Sequence, residues 1–413
     1  MKSKYNIVII GCGTAAGFFL SFLNSRVGKE KPDVLVLEKS PKIFRKIRVS
    51  GNGRCNYSNL EMGEEQYYSF SAAKDWSQKA FRAARSLNLQ GFFYKQGIPS
   101  SADEYKRLFP YTNSAATIAE FFENTLKGFP AELQLNSEAT QVKPDKANGK
   151  YEVLWTDAAS KSKLSAFADA VVFASGGSAY PQYGTDGSVF KLLQGLGHTV
   201  MPQTPGIVPL ETPHREFREL DGMKIETEIS FKDFKRTGEL LFTDYGISGP
   251  NVLYASNTIS MELEQGPVTI HVSFLPKNEL TYEFFHSAWQ ASGTKTFTDV
   301  FRGALQVRFI EAFLKYASSL GKQFQGKLNE KQLKEAFSLL TRCPMQVTKA
   351  RSFKDAQVSL GGVHCREVNP ETFESKLHKR IFILGEMLDY TGGCGGYNIH
   401  WAAATALKAV SSI

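Results

Sequence analysis

No two of the five cysteines, Cys12, Cys55, Cys343, Cys365 and Cys394, stand at CxxC spacing. Their odd number and wide separation exclude a zinc knuckle, a thioredoxin-type redox pair and a disulfide scaffold, and they suit a reducing cytoplasm. An uninterrupted apolar run of the roughly 20 residues that a membrane-spanning helix needs is also missing. The most apolar stretch, Tyr5 to Leu23, is broken by Gly11, Gly13, Thr14 and Gly17. It imitates an export signal behind its basic start, but Tyr5 to Ile10 is shorter than the roughly 7–15 residues of a signal core. There is no block of five or six like charges, so the net charge of +8 is spread out and carries no nucleic-acid tail. Internal repeats and low-complexity linkers are absent as well.

At 413 residues, with 42% hydrophobic and 22% charged residues, the chain has material for two or three globular units. Its 34 glycines bunch at a few points, which is how a chain brings its backbone close to a ligand. The first bunch follows Tyr5 to Ile10, which reads as a strand buried on both faces. Gly11, Cys12, Gly13, Thr14, Ala15 and Ala16 then lead into a helix that runs to Arg26, and Val34 to Leu37 forms a second strand ending in Glu38. This is a βαβ unit with the GxGxxA form of the dinucleotide fingerprint. Gly11 permits the tight turn, Gly13 lets a pyrophosphate reach the backbone, and Ala16 keeps helix and strand close. Free N–H groups and the helix dipole then favour phosphate at the helix start. Glu38 stands where an acid accepts hydrogen bonds from ribose hydroxyls, and it disfavours a 2′-phosphate.

A polar loop follows, with Lys39 and Lys46 leading to Ser50, Gly51, Asn52, Gly53, Arg54, Cys55 and Asn56. Such a loop is poor core and good wrapping for a polar ligand. Residues 75–127 read as helical and 131–173 as short strands with turns at 143–145 and 147–149. The last of these strands ends in Ala174, Ser175 and Gly176, at the strand terminus where α/β sheets collect ligands. Residues 190–345 mix β segments at 239–243 and 268–272 with helices at 299–316 and 327–340. The chain then returns to α/β with a strand at 381–384, Gly385, Glu386 and Asp389, and a second glycine run that passes through Gly396, Tyr397 and Asn398 into a closing helix. Two glycine-rich helix starts far apart in sequence favour an elongated FAD over NAD. The second would stabilise negative charge at the pyrimidine edge of a reduced flavin.

These blocks, together with Arg107 to Pro110 and Gly238 to Pro250, resemble the aminoacetone oxidase family of FAD-binding flavoproteins, the YhiN-like or BaiN-like NAD(P)/FAD-dependent oxidoreductases. The resemblance spans nearly the whole chain. It implies an α/β fold: an FAD/NAD(P)-binding Rossmann-like domain (1–190 and 356–413) with an inserted β-barrel-like domain (191–275 with 341–355) and a small helical domain (276–340). It further implies that Glu38 holds the adenosine ribose, that the strand near Val142 meets adenine through its backbone, and that Ser50 to Asn56 line the flavin. Glu386, Asp389 and Gly396 to Asn398 would grip the ribityl chain and the pyrimidine edge. Two departures stand out: the third fingerprint position is Ala16, followed by Gly17, and Asn52 replaces a usual glycine, where a positive φ suits Asn.

The expected activity is transfer of a hydride or electron pair between FAD and a small organic substrate, an amine or a conjugated enone, held between the FAD domain and the insert. NAD(P)H would serve as a transient electron donor through the same cleft, since a second intact GxGxxG is absent. Arg54, Arg107, Tyr245 and His364 are substrate-side candidates; Arg107 reads equally as a pairing arginine, and His364 and Cys55 read more readily as buried structural residues. No metal site, no membrane and no nucleic-acid partner are expected. An RNA-modifying flavoenzyme and a non-catalytic flavin-binding protein stand as the alternatives.

Overall fold

The computed structural model describes residues 2–28 and 30–413. They form two compact units: the chain up to Thr204 together with Gln357–Ile413, and Pro205–Ala356.

The first unit is built on a sheet whose central strands are apolar on both faces. Strand β1 (Lys4–Ile10) feeds helix α1 (Thr14–Arg26), and the chain returns as β2 (Val34–Leu37). After helix α2 (Ala115–Gly128), β3 (Ala131–Gln134) pairs parallel with β2. Strands β4 (Ser137–Asp145), β5 (Lys150–Asp157) and β6 (Lys163–Phe173) form a meander. The first half of β6 pairs antiparallel with β5, and its second half runs parallel to β1. Strand β7 (Ile381–Ile383) lies parallel on the other side of β6, and helix α3 (Tyr397–Ser412) follows it. The parallel order is therefore β3-β2-β1-β6-β7. Connections leave β1 in both directions, and this opens a crevice at the carboxyl ends of β1 and β6.

Packing explains why α1 starts where it does. A Cβ on Gly17 would stand 2.6 Å from the Phe122 ring of α2, so glycine is needed at 17 while Ala16 is simply buried. Phe18 then meets Phe122 edge-on at 4.9 Å between ring centroids. Each such buried aromatic stabilises the fold by about 1.5–3 kcal/mol relative to exposure.

Some local expectations fail. The stretch read as helical from 75 to 127 is broken by strands at Ser100–Ala102 and Arg107–Pro110, which pair with each other. These two runs are too short for periodicity to separate them from a helix. Lys143, Pro144 and Asp145 lie inside β4 and not in a turn. The turn comes after them, where Gly149 takes a φ of +63°.

The second unit carries a seven-stranded antiparallel sheet, in the order 343–347, 268–273, 224–231, 234–243, 246–248, 210–211 and 349–350. Its two edge strands are joined through Thr348 alone, so the sheet curls back on itself in a barrel-like form. The helical stretch 276–340, expected as a domain of its own, shares one hydrophobic cluster with this sheet. Phe274 packs on Phe309 at 4.7 Å between ring centroids.

Candidate functional site

The crevice at the carboxyl ends of β1 and β6 holds a cleft. Gly11, Cys12, Gly13, Glu38, Lys39, Lys46, Ser175 and Gly177 line it, with Ser137 to Ala139 on one side and Tyr183 to Val189 on another. Gly11 is required by a close approach: its φ is +93°, and a Cβ would lie 2.6 Å from Ser175 Cα and 2.8 Å from Ser175 N. Gly13 differs, since its φ of −101° is open to any residue and a Cβ would meet only Ala174 O, at 3.7 Å. Its lack of a side chain serves the cleft and not the fold.

Gly13 caps α1 without a side-chain hydrogen bond, and no acid occupies the first turn. The first N–H groups of a helix have no intrahelical acceptor, so those of Thr14, Ala15 and Ala16 are left for a ligand. Glu38 shapes the same turn. Its Oε2 accepts the Cys12 N–H at 2.8 Å and its Oε1 the Ser40 N–H at 2.8 Å, and each oxygen keeps a further lone pair. Burial, and then the Glu38 charge, hold the Cys12 thiol far above its usual range, so it stays protonated. Lys39 pairs with Asp186 and reaches Ser188 Oγ at 3.3 Å, which ties the Tyr183 to Val189 loop to the cleft.

At the other end of the cleft Lys46 Nζ donates to Glu386 Oε2 at 2.8 Å, while Glu386 Oε1 accepts from Ser359 N and Oγ, both at 2.9 Å. A Cβ on Gly177 would strike Ser359 Oγ at 2.1 Å and Glu386 Oε1 at 2.9 Å, so packing constrains Gly177, while its φ of +76° constrains the expected Gly176. Gly385 continues the link: a Cβ there would sit 3.3 Å from Ala402 Cβ in α3 and 3.7 Å from Ala15 Cβ in α1. The start of α1 and the second turn of α3 therefore lie on either side of Gly385.

At the start of α3, Gly396 has a φ of +100°, and a Cβ would collide with Ser58 O at 2.3 Å. The Asn56 amide closes over this turn: its oxygen accepts the Gly396 N–H at 3.0 Å and its nitrogen donates to Ser58 O at 2.9 Å. Asn398 clamps the glycine run, accepting the Gly392 N–H at 2.9 Å and donating to Gly392 O at 2.6 Å. Tyr397 donates to Glu61 O at 3.1 Å. His400 is locked in one tautomer, because Nε2 faces Ala84 O at 2.9 Å and must donate, leaving Nδ1 to accept from Ser58 Oγ at 2.7 Å. Burial lowers its pKa, so it stays neutral. In the 50–56 loop, Gly51, Asn52, Gly53 and Cys55 all take positive φ, with Asn52 at +56° as expected of asparagine. Ser50 Oγ donates to Ile47 O at 2.7 Å.

Several expected roles need correction. Val142 is absent from the cleft: it is buried and faces Val153 across the meander, because a register shift between Ala139 and Gln141 carries the rest of β4 away. Ser137 to Ala139, at the start of the same strand, line the cleft. Asp389 is fully buried and holds a neighbouring loop, accepting the Phe70 N–H at 3.1 Å and Ser69 Oγ at 3.1 Å on Oδ2. Burial raises its pKa despite those bonds. Cys55 is buried, in keeping with the structural reading, and burial pushes its thiol up to about 12. Arg107 is paired with Asp103 at 2.6 Å. His364 Nδ1 accepts the Arg366 N–H at 3.2 Å as a local cap. Tyr245, in the second unit, lies under the Arg351 guanidinium at 4.5 Å. The Tyr183 to Val189 loop was missed from sequence; its positive-φ glycines, Gly184 and Gly187, were the available signal.

Residues 5–412 match the HI0933-like protein Rossmann domain family. The chain belongs to that family. HI0933-like proteins are FAD-dependent oxidoreductases, and this one shares their Rossmann-like flavoprotein fold. Similar to it are a 3-dehydro-bile acid delta(4,6)-reductase of Clostridium scindens, 28% identical over 98% of this chain and 97% of the relative. A ribosomal RNA dihydrouridine synthase of Escherichia coli is 27% identical over 98% of this chain and 96% of the relative. Among solved structures, 3-ketosteroid delta1-dehydrogenase from Sterolibacterium denitrificans superposes with a TM-score of 0.52 at 12% identity, covering 100% of this chain and 99% of that one. At that identity the likeness concerns the fold alone. No helix among the described residues is long and apolar enough to cross a membrane, and no cluster of metal-ligating side chains occurs among them.

Proposed function

We propose that this HI0933-like protein reduces a carbon–carbon double bond conjugated to a carbonyl, with NADH or NADPH as the transient donor of electrons to its FAD. One observation carries the reading. Two whole-length relatives are named for reactions on different molecules that share a single chemical pattern. A delta(4,6)-unsaturated 3-dehydro steroid has its double bonds conjugated to the 3-keto group, and dihydrouridine is uridine saturated at the bond conjugated to its 4-carbonyl. In each case a hydride adds to the electrophilic end of the conjugated system, the β-carbon of an enone or the δ-carbon of a dienone, and a proton adds to the neighbouring carbon nearer the carbonyl.

When bound, FAD supplies that hydride from ring nitrogen N5. The chain's residues fit the cofactor's polar parts. The N–H groups of Thr14 to Ala16 bind the diphosphate, and Glu38 accepts from the adenosine ribose through its spare lone pairs. Ser137 to Ala139 flank the adenine. Lys46 and Glu386 orient the ribityl chain, while the Ser50 to Asn56 loop and the start of α3 hold the ring system. The dipole of α3, a helix of 16 residues, favours negative charge at the pyrimidine edge. The five cysteines are all thiols, four of them buried, which supports a cytoplasmic location.

The test is an anaerobic titration of the FAD-loaded protein with NADH or NADPH, followed by a cyclic enone. Bleaching of the flavin by the nicotinamide, and its return with one saturated ketone formed per flavin, supports the reading. A flavin that no enone reoxidises refutes it. A second reading, favoured by the Escherichia coli relative, takes the uracil ring of an RNA as the conjugated substrate. It requires dihydrouridine in RNA incubated with the reduced protein, and salt-sensitive binding.

A further inference from the structure

We propose that Arg54 is a recognition site for a substrate carboxylate, so that the protein prefers acids among conjugated carbonyl compounds; this rests on the reductase reading above. The guanidinium of Arg54 lies over the Phe109 ring at 4.8 Å. Arg107 lies over the same ring at 5.8 Å but is bound to Asp103, through Nε at 2.7 Å and Nη2 at 2.6 Å. The Arg107 charge is thus neutralised and that of Arg54 is not. Among the described residues Arg54 makes one side-chain hydrogen bond, from Nε to Gly51 O at 3.3 Å, and no ion pair. Its two terminal NH2 groups, four N–H donors, have no acceptor among the described residues.

The loop holds this half-buried side chain in place. Gly51 at φ +56° doubles the backbone back, since a Cβ there would lie 2.9 Å from Asn56 N, and Arg54 N donates to Gly51 O at 3.3 Å. Two residues on, Asn56 receives the Gly396 N–H, so Arg54 stands on the loop that joins the start of α3. A guanidinium with one face on an aromatic ring presents its edge, and that edge matches a carboxylate bidentately. One uncompensated cation suits a single carboxylate and not a polyanionic backbone, which needs several.

The test is calorimetric titration of the FAD-loaded protein with two non-reacting probes, cyclohexanecarboxylate and cyclohexanecarboxamide. Wild-type protein binds the carboxylate more tightly. Arg54→Gln lowers carboxylate affinity by about tenfold or more while moving carboxamide affinity far less, and Arg54→Lys recovers part of the loss. A melting temperature close to that of wild type shows that both variants are folded, and FAD content is matched between proteins before titration. Equal affinity of wild type for the two probes, or equal carboxylate affinity in wild type and Arg54→Gln, overturns the proposal. Neither result depends on turnover, so failure to reduce an enone counts against the reductase reading alone.

Discussion

Two alanine substitutions two residues apart separate what the first glycine turn does for the fold from what it does for the cofactor. In Gly11→Ala the new methyl group meets backbone atoms of Ser175 at 2.6 and 2.8 Å, and it sits on a residue at φ +93°. The conformational strain costs about 1–3 kcal/mol. The overpacking adds about 1–3 kcal/mol, because backbone cannot swing aside like a side chain. The sum, about 2–6 kcal/mol, is enough to lower the denaturation midpoint of the first unit markedly. Gly13→Ala places its methyl 3.7 Å from Ala174 O at an ordinary φ, so its effect on stability is below about 1 kcal/mol. Yet Gly13 lines the cleft, and a methyl there keeps a diphosphate from the N–H groups of Thr14 to Ala16. Loss of one or two charge-assisted hydrogen bonds weakens FAD binding by at least about tenfold. Urea denaturation of the apoproteins and fluorescence titration with FAD read the two effects separately. If Gly13→Ala binds FAD like wild type, the diphosphate does not rest on this turn and the placement of the cofactor is wrong.

Glu38→Ala removes the acceptor of the Cys12 and Ser40 N–H groups along with the ribose contact; FAD affinity falls about tenfold or more, and unchanged affinity would mean the ribose lies elsewhere. Thiol titration of the native protein with a disulfide reagent labels Cys394 first, because Cys12, Cys55, Cys343 and Cys365 are buried and burial raises their pKa values; rapid reaction of Cys55 would contradict its packing role. Burial lowers the pKa of His400 and of His198, which Glu367 offsets only in part. Both bind protons more readily when unfolded, so stability is full above about pH 6.5 and falls as the pH drops below it. Melting temperatures measured from pH 8 to 5 should decline below that point, and less steeply in His400→Gln.

The βαβ start and Glu38 were legible because strand, turn, helix and acid are consecutive and each is dictated by local chemistry. The meeting of Gly385 with α1 and α3 was legible only as a pair of glycine-rich helix starts, since nothing local says that residues 15 and 402 are neighbours. Val142 was misplaced because a bulge is a sheet-level event: the register around Gln141 is fixed only by pairing with the partner strand. Asp389 was misread for a related reason. A carboxylate beside a glycine run suggests a ligand, and its engagement with Phe70 and Ser69 depends on a loop more than 300 residues earlier. The strands at 100–110 were hidden by their brevity. In the second unit the β segments were visible from their composition. The curling of the sheet through Thr348 was not, because it arises from pairings between residues far apart in the chain.

The most direct test compares the affinities of the apoprotein for FAD, FMN and riboflavin by fluorescence quenching. A cofactor whose adenosine and diphosphate lie between the Gly11 turn, Glu38 and Ser137 to Ala139 predicts FAD binding at least about a hundredfold tighter than FMN, with riboflavin weaker still. Equal affinities for FAD and FMN would contradict that placement.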